Sequence, residues 1–245
     1  MNTNRQTAVN NQESKMKPTA ANLIRWSGLA AVVAGVIFAG IQPIHPLEVV
    51  AAVTTNAWAI ITSLKTAMCL LFLLGITGLY ARQANKAGWL GLAGFLLLFL
   101  SWGLQTAFVF AEAFILPLLA NTAPQFVDIV LATIARGQPS PINLGALPAL
   151  YSVVGVAYML GGLLFGIATL RAGILPRWAA VLLAVAATLT PLAAVLPHQI
   201  QRLAAIPVAL ALACLGYALF SEQRETASEP MPGTASAPLR QTATD

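Results

Sequence analysis

The chain has 245 residues, of which 58% are hydrophobic and 9% charged, and its mean hydropathy is +0.77. A water-soluble domain carries roughly 25% charged residues, so composition excludes an ordinary soluble enzyme and assigns the surplus apolar surface to lipid. The net charge of +5 does not indicate nucleic acid, because the basic residues sit at the edges of apolar segments and nowhere interleave with aromatics.

The first stretch, residues 1–22, is rich in Asn, Gln and Thr without apolar periodicity and reads as a disordered tail, as does 221–245. Between them, residues 23–220 form one domain of six apolar segments. These run from Leu23 to Ile44, Ala57 to Tyr80, Ala87 to Leu118, Ala146 to Leu170, Leu175 to Leu196 and Leu203 to Phe220. Each is close to the roughly 20 residues that a hydrocarbon core of about 30 Å requires. The polar leader is too long for a signal peptide, so the first segment is expected to be retained.

Orientation follows from the flanking Lys and Arg residues. Arg5, Lys15, Lys17, Arg25, Arg82, Lys86, Arg171, Arg177, Arg224 and Arg240 fall on one side, Arg136 and Arg202 on the other, and Lys65 inside segment two. The expected architecture is therefore all-α, a polytopic transmembrane bundle of six helices with both termini cytoplasmic. Trp26, Trp89 and Trp178 start the odd-numbered segments at the inner edge, where indole rings concentrate. The long outer loop from Leu119 to Gly145, between helices three and four, places Phe126, Ile129, Val130 and Ile134 on one helical face. With Thr122 as N-cap and Pro124 in the first turn, it predicts an interfacial helix, either resting on the bilayer or closing over a cavity.

Lys65 is the most informative residue, since an ionisable group inside a spanning helix costs about 2.5–3.5 kcal/mol on insertion scales and marks a functional site by default. Thr62, Lys65, Thr66 and Cys69 share one face of helix two, and Ser101, Gln105 and Glu112 share one face of helix three. The candidate substrate-binding set is thus Lys65, Gln105, Glu112, Thr62, Thr66 and Ser101. If the intervening turn centres on Ala84, Gln105 lies within about 3 Å of Lys65 in depth and Glu112 about 13 Å further out, making Gln105 the nearer partner. The alternative is that Lys65 extends to the headgroups and Glu112 ends its helix at the interface. Tyr151, Gly155, Tyr158 and Gly162 form a ridge on helix four, and Pro191 predicts a kink in helix five. Ser27, Ala31, Gly35 and Ala39, with Gly162 and Gly166, predict close helix packing.

His45 and His198 adjoin prolines at outer helix ends, with Glu48 nearby, but two histidines without local ligand spacing do not specify a haem or metal, and no cofactor is expected. Cys69 and Cys214 read as buried hydrophobes. No catalytic motif is present in the spans.

Three stretches carry a resemblance: Ile44-His45-Pro46, Leu74-Gly75-Ile76-Thr77-Gly78-Leu79-Tyr80, and Phe165 through Trp178 (FGIATLRAGILPRW). In these the chain resembles a broad group of uncharacterised bacterial six-helix integral membrane proteins, a domain of unknown function. The resemblance implies the bacterial cytoplasmic membrane and brings no catalytic residue with it. The leading functional expectation is a structural or interaction component, partnered by the lipid bilayer and by another membrane protein or a second copy. The runner-up is a small-solute carrier or sensor built on the polar stripes.

Overall fold

The computed structural model describes residues 20–196 and 198–226, which are helical with no strand among them. The two tails expected to be disordered lie mostly outside this range. The α-helices are α1 (Ala20–Ile41), α2 (Val50–Val53), α3 (Asn56–Phe114), α4 (Leu116–Leu119), α5 (Pro124–Val130), α6 (Leu147–Ala172), α7 (Arg177–Leu189), α8 (His198–Gln201) and α9 (Ile206–Thr226). A π-helical turn (Leu131–Ala135) follows α5, and 3₁₀ turns follow α7 (Thr190–Val195) and α8 (Arg202–Ala205). Four stretches are long and apolar enough to cross a membrane: α1, α3, α6 and Arg202–Glu222. Their outward side chains are apolar, with Val36 64%, Leu74 60% and Tyr217 64% exposed. Such a surface requires lipid around it, and the chain is a membrane-embedded helical protein.

Helix α3 has 59 residues and would extend nearly 90 Å, by order of magnitude, if straight. It instead folds back at Gly88, whose φ of 57° and ψ of −162° fall in a region open essentially to glycine alone. Tyr80 stacks on Phe95 at 4.7 Å, Phe72 stacks on Trp102 at 4.4 Å, and Lys65 pairs with Glu112. All three pairs are centred on Gly88 to within a residue, so the two arms, 56–87 and 89–114, form an antiparallel hairpin. This corrects the turn expected near Ala84. Residues 82–86 are largely polar yet helical, and neighbouring helices bond two of them. Gln83, 1% exposed, donates Nε2 to Thr169 Oγ1 at 2.8 Å, and Arg82 pairs with Glu222. Glu222 belongs to α9, which runs to Thr226.

The two ends of the bundle are built differently. At the end carrying Gly88, the start of α1 lies beside the end of α9, with Arg25 Cζ 4.7 Å from the Phe220 ring centroid. Small residues draw the helices together there and along the bundle. A Cβ on Gly28 would strike Gly216 O, one on Gly35 would strike Ala209 O, and one on Gly166 would strike Ala180 O. These are the close-packed faces that the spacing of small residues predicts.

At the opposite end, prolines cut the helices short. Pro43 and Pro46 follow α1. Pro117, in the first turn of α4, cannot donate the hydrogen bond that would continue α3. Pro191 turns α7 into a 3₁₀ segment rather than kinking a continuous helix.

The amphipathic loop helix is present as α5 and its π-turn, but two details differ from expectation. Its N-cap is Ala123, with no side-chain cap, rather than Thr122. The face turned inward is Val127, Leu131 and Ile134, which are buried, while Phe126 is 41% exposed. Both stripes are apolar. The choice is made by Val53, Trp58, Leu116 and Ala120, which form one cluster with Val127 and Leu131.

Candidate functional site

The proline-interrupted end leaves a cavity of about 440 Å³, within the usual size range of small-molecule sites. Its wall draws on Phe38 and Ile41 from α1, Lys65 and Glu112 from the two arms of α3, Tyr158 from α6, Ala193 from the turn after α7 and Arg202 from the turn before α9.

Lys65 and Glu112 meet directly as an ion pair, with side chains only 15% and 16% exposed. Lys65 Nζ also lies 3.3 Å from His45 Nε2. His45 Nδ1 lies 2.7 Å from Pro46 O, a carbonyl that can only accept, which assigns the proton to Nδ1 and leaves Nε2 to accept from Lys65. The amine is thus held between Glu112 and His45, with 15% of its side chain exposed. Trp58 fixes the other partner by donating Nε1 to Glu112 O at 2.9 Å, which anchors the last turns of α3 to its first.

A second charged layer lies above the first. Glu48 pairs with Arg202, and its backbone O accepts from Arg136 Nη1 at 2.6 Å. Arg136 Nη2 reaches Asp128 Oδ1 at 3.3 Å. The layer ties the loop after α1 to the loop after α5 and to the start of the last span, and Glu48, Arg202 and Ala135 also line the cavity.

Of the six residues predicted from sequence, four line the cavity: Lys65, Gln105, Glu112 and Ser101. Thr62 and Thr66 do not. Thr62 donates to Trp58 O at 2.7 Å and Thr66 to Thr62 O at 3.0 Å, so both hydroxyls are spent on their own helix. Ser101, 2% exposed, donates to Val154 O at 3.0 Å and ties α3 to α6. Gln105 was expected to be the nearer partner of Lys65; the structure gives that place to Glu112. Moving the turn from Ala84 to Gly88 shifts the facing arm by twice that displacement, about 12 Å at helical rise. Gln105 therefore lies deeper by about 10 Å along its arm, without a hydrogen bond among the described residues.

One further polar group beside the wall is buried without a partner: Trp102, 4% exposed, has an unbonded Nε1. Tyr158 Oη lies against Thr190, whose hydroxyl donates to Ala186 O and keeps lone pairs to accept from Tyr158. Sequence reasoning named Tyr158 as part of a ridge but missed Trp102, which stands one position past Ser101 on the same arm. It also missed the Glu48–Arg202 pair, which joins residues more than 150 positions apart and has no local signature.

No metal arrangement accompanies these groups: no cluster of three or more His, Cys, Asp or Glu capable of holding an ion occurs among the described residues. The side chain of His198, the other histidine considered from sequence, lies outside them.

No family model, curated protein or solved structure matches the chain.

Proposed function

We propose that this chain is a six-pass integral membrane protein of the bacterial cytoplasmic membrane that binds a small solute in the cavity at the outer end of its bundle. The two arms of α3 count as separate crossings, and α7 with its 3₁₀ extension as the fifth. The bias of basic residues towards the Gly88 end supports placing that end and both termini in the cytoplasm. The bacterial assignment rests on the sequence resemblance.

One observation carries the binding reading. A cavity of about 440 Å³ brings an internally satisfied ion pair next to the Gln105 amide, which makes no hydrogen bond among the described residues. A polar-lined space of this size inside an apolar bundle is what a binding site needs and what a purely structural bundle fills with side chains. The interaction-component reading draws less support, because the small-residue faces suited to a partner are already filled within the chain, Gly35 by Ala209 and Gly162 by Ala187.

A solute entering from the outer surface would pass the Glu48–Arg202 pair, displace water from the wall and exchange those hydrogen bonds for its own. Lys65 would hold its ammonium between Glu112 and His45 and present a fixed polar edge.

The test is a thermal-shift screen of neutral, zwitterionic and charged small solutes on the detergent-purified protein. At least one solute should raise the midpoint of the wild type and lose that effect in Gln105→Leu, a substitution that keeps side-chain volume and removes the amide. A screen that moves nothing, or moves both proteins equally, refutes the proposal.

A further inference from the structure

We infer that the ligand is a neutral-headed, single-chain amphiphile, whose head occupies the polar cavity and whose tail enters a second, apolar cavity beside it. The inference rests on the solute-binding reading above and specifies its substrate class.

The second cavity has a volume of about 200 Å³. It lies between the outer half of the second α3 arm, the start of α6 and the α5 segment, with Leu104, Ala111, Leu131 and Leu150 on its wall. Among the described residues Glu112 is its only ionisable lining residue, and Glu112 and Ala135 line both cavities. The two spaces therefore adjoin across Glu112 and Ala135. One side of that junction offers hydrogen-bond donors, and the other offers aliphatic and aromatic carbon. A polar solute alone leaves the apolar side empty. A molecule with a polar head and a hydrocarbon tail fills both.

The charge arrangement selects the head. Lys65 is paired with Glu112, and Arg202 with Glu48, so the charges around the cavity cancel in pairs. A charged head would have to break one of these pairs, which in a poorly solvated site costs more than the new contact returns. Among the lining groups left over is the uncharged Gln105 amide. It matches hydroxyl or amide oxygen on a neutral head.

The experiment uses the full chain in phosphatidylcholine nanodiscs with 1-monoacylglycerols of increasing chain length, from acetyl to decanoyl, read by ligand-induced thermal shift. Comparing variants at each chain length cancels the partitioning of the probe into the bilayer. Ala111→Phe, which fills the second cavity, should leave the acetyl compound unaffected and weaken the octanoyl compound about tenfold, the scale of overpacking a filled site. Leu150→Ala, which enlarges that cavity, should move the preferred chain to a longer one, and it keeps the test decisive if Ala111→Phe fails to fold. Gln105→Leu should weaken every member of the series.

Equal loss at all chain lengths in Ala111→Phe, or no change in preferred length in Leu150→Ala, overturns the tail site and leaves the solute reading standing. Stronger shifts with decanoate or decyltrimethylammonium than with monodecanoylglycerol overturn the neutral head. No shift with any amphiphile, against a positive small-solute screen, overturns the amphiphile alone; silence in both overturns the binding reading as well.

Discussion

Replacing Lys65 by Met removes the ammonium while preserving most of the stem, and it separates an amine held by Glu112 from one that merely reaches for the headgroups. A snorkelling lysine would be lost at no cost or with a gain in stability. In the structure Lys65 binds Glu112 and His45 with 15% of its side chain exposed, so its removal leaves the carboxylate without its counter-charge. Losing one partner of a fully buried pair costs about 3–5 kcal/mol, and a hydrogen bond to a charged group is worth about 1.5–3 kcal/mol. Because both side chains retain some exposure to the cavity, the expected loss lies near the lower figures, about 2 kcal/mol for Lys65→Met and a similar amount for Glu112→Gln. The double variant should cost less than the two single losses together, by about 1–2 kcal/mol of coupling. Lys65→Met combined with Gln105→Leu should be additive within about 0.5 kcal/mol, since these residues share no contact. Reversible unfolding in mixed micelles measures all the required differences. Additivity between Lys65 and Glu112, or coupling between Lys65 and Gln105 instead, would refute the register set by Gly88.

Gly88→Ala should destabilise the protein by about 1–3 kcal/mol, because the backbone there occupies a region that side chains avoid; Gly103→Ala, where a Cβ meets no atom within 4 Å, should be close to neutral in the same unfolding assay. Equal effects at the two positions would remove Gly88 as the cause of the hairpin. Topology reporters should give cytoplasmic signals at Gly88 and Gly173 and external signals at Glu48 and Gly137, and reversal at any two sites would sink the six-pass arrangement.

The class of the molecule and the identity of its polar residues are legible in the sequence because they depend on local quantities. Transfer of apolar side chains into lipid is nearly additive along the chain, so composition and segment length suffice to mark helices fit for a membrane. Lys65 and Glu112 stand out for the same reason, each being a charge within an apolar run. Small residues at four-residue spacing likewise announce tight packing faces before any partner is known. Who meets whom was a tertiary decision. Residues 82–86 carry the polarity of a loop, yet Thr169 and Glu222 on other helices satisfy Gln83 and Arg82 and let the helix run on to Gly88. A hairpin doubles any displacement of its turn, so that short extension exchanged Gln105 for Glu112 as the partner of Lys65. The inward face of α5 and the Glu48–Arg202 pair were decided in the same way, by surfaces distant in sequence. Hydropathy places a segment at a depth in the bilayer, but the contacts across it depend on rotation and register, and these are fixed only when all the helices pack at once.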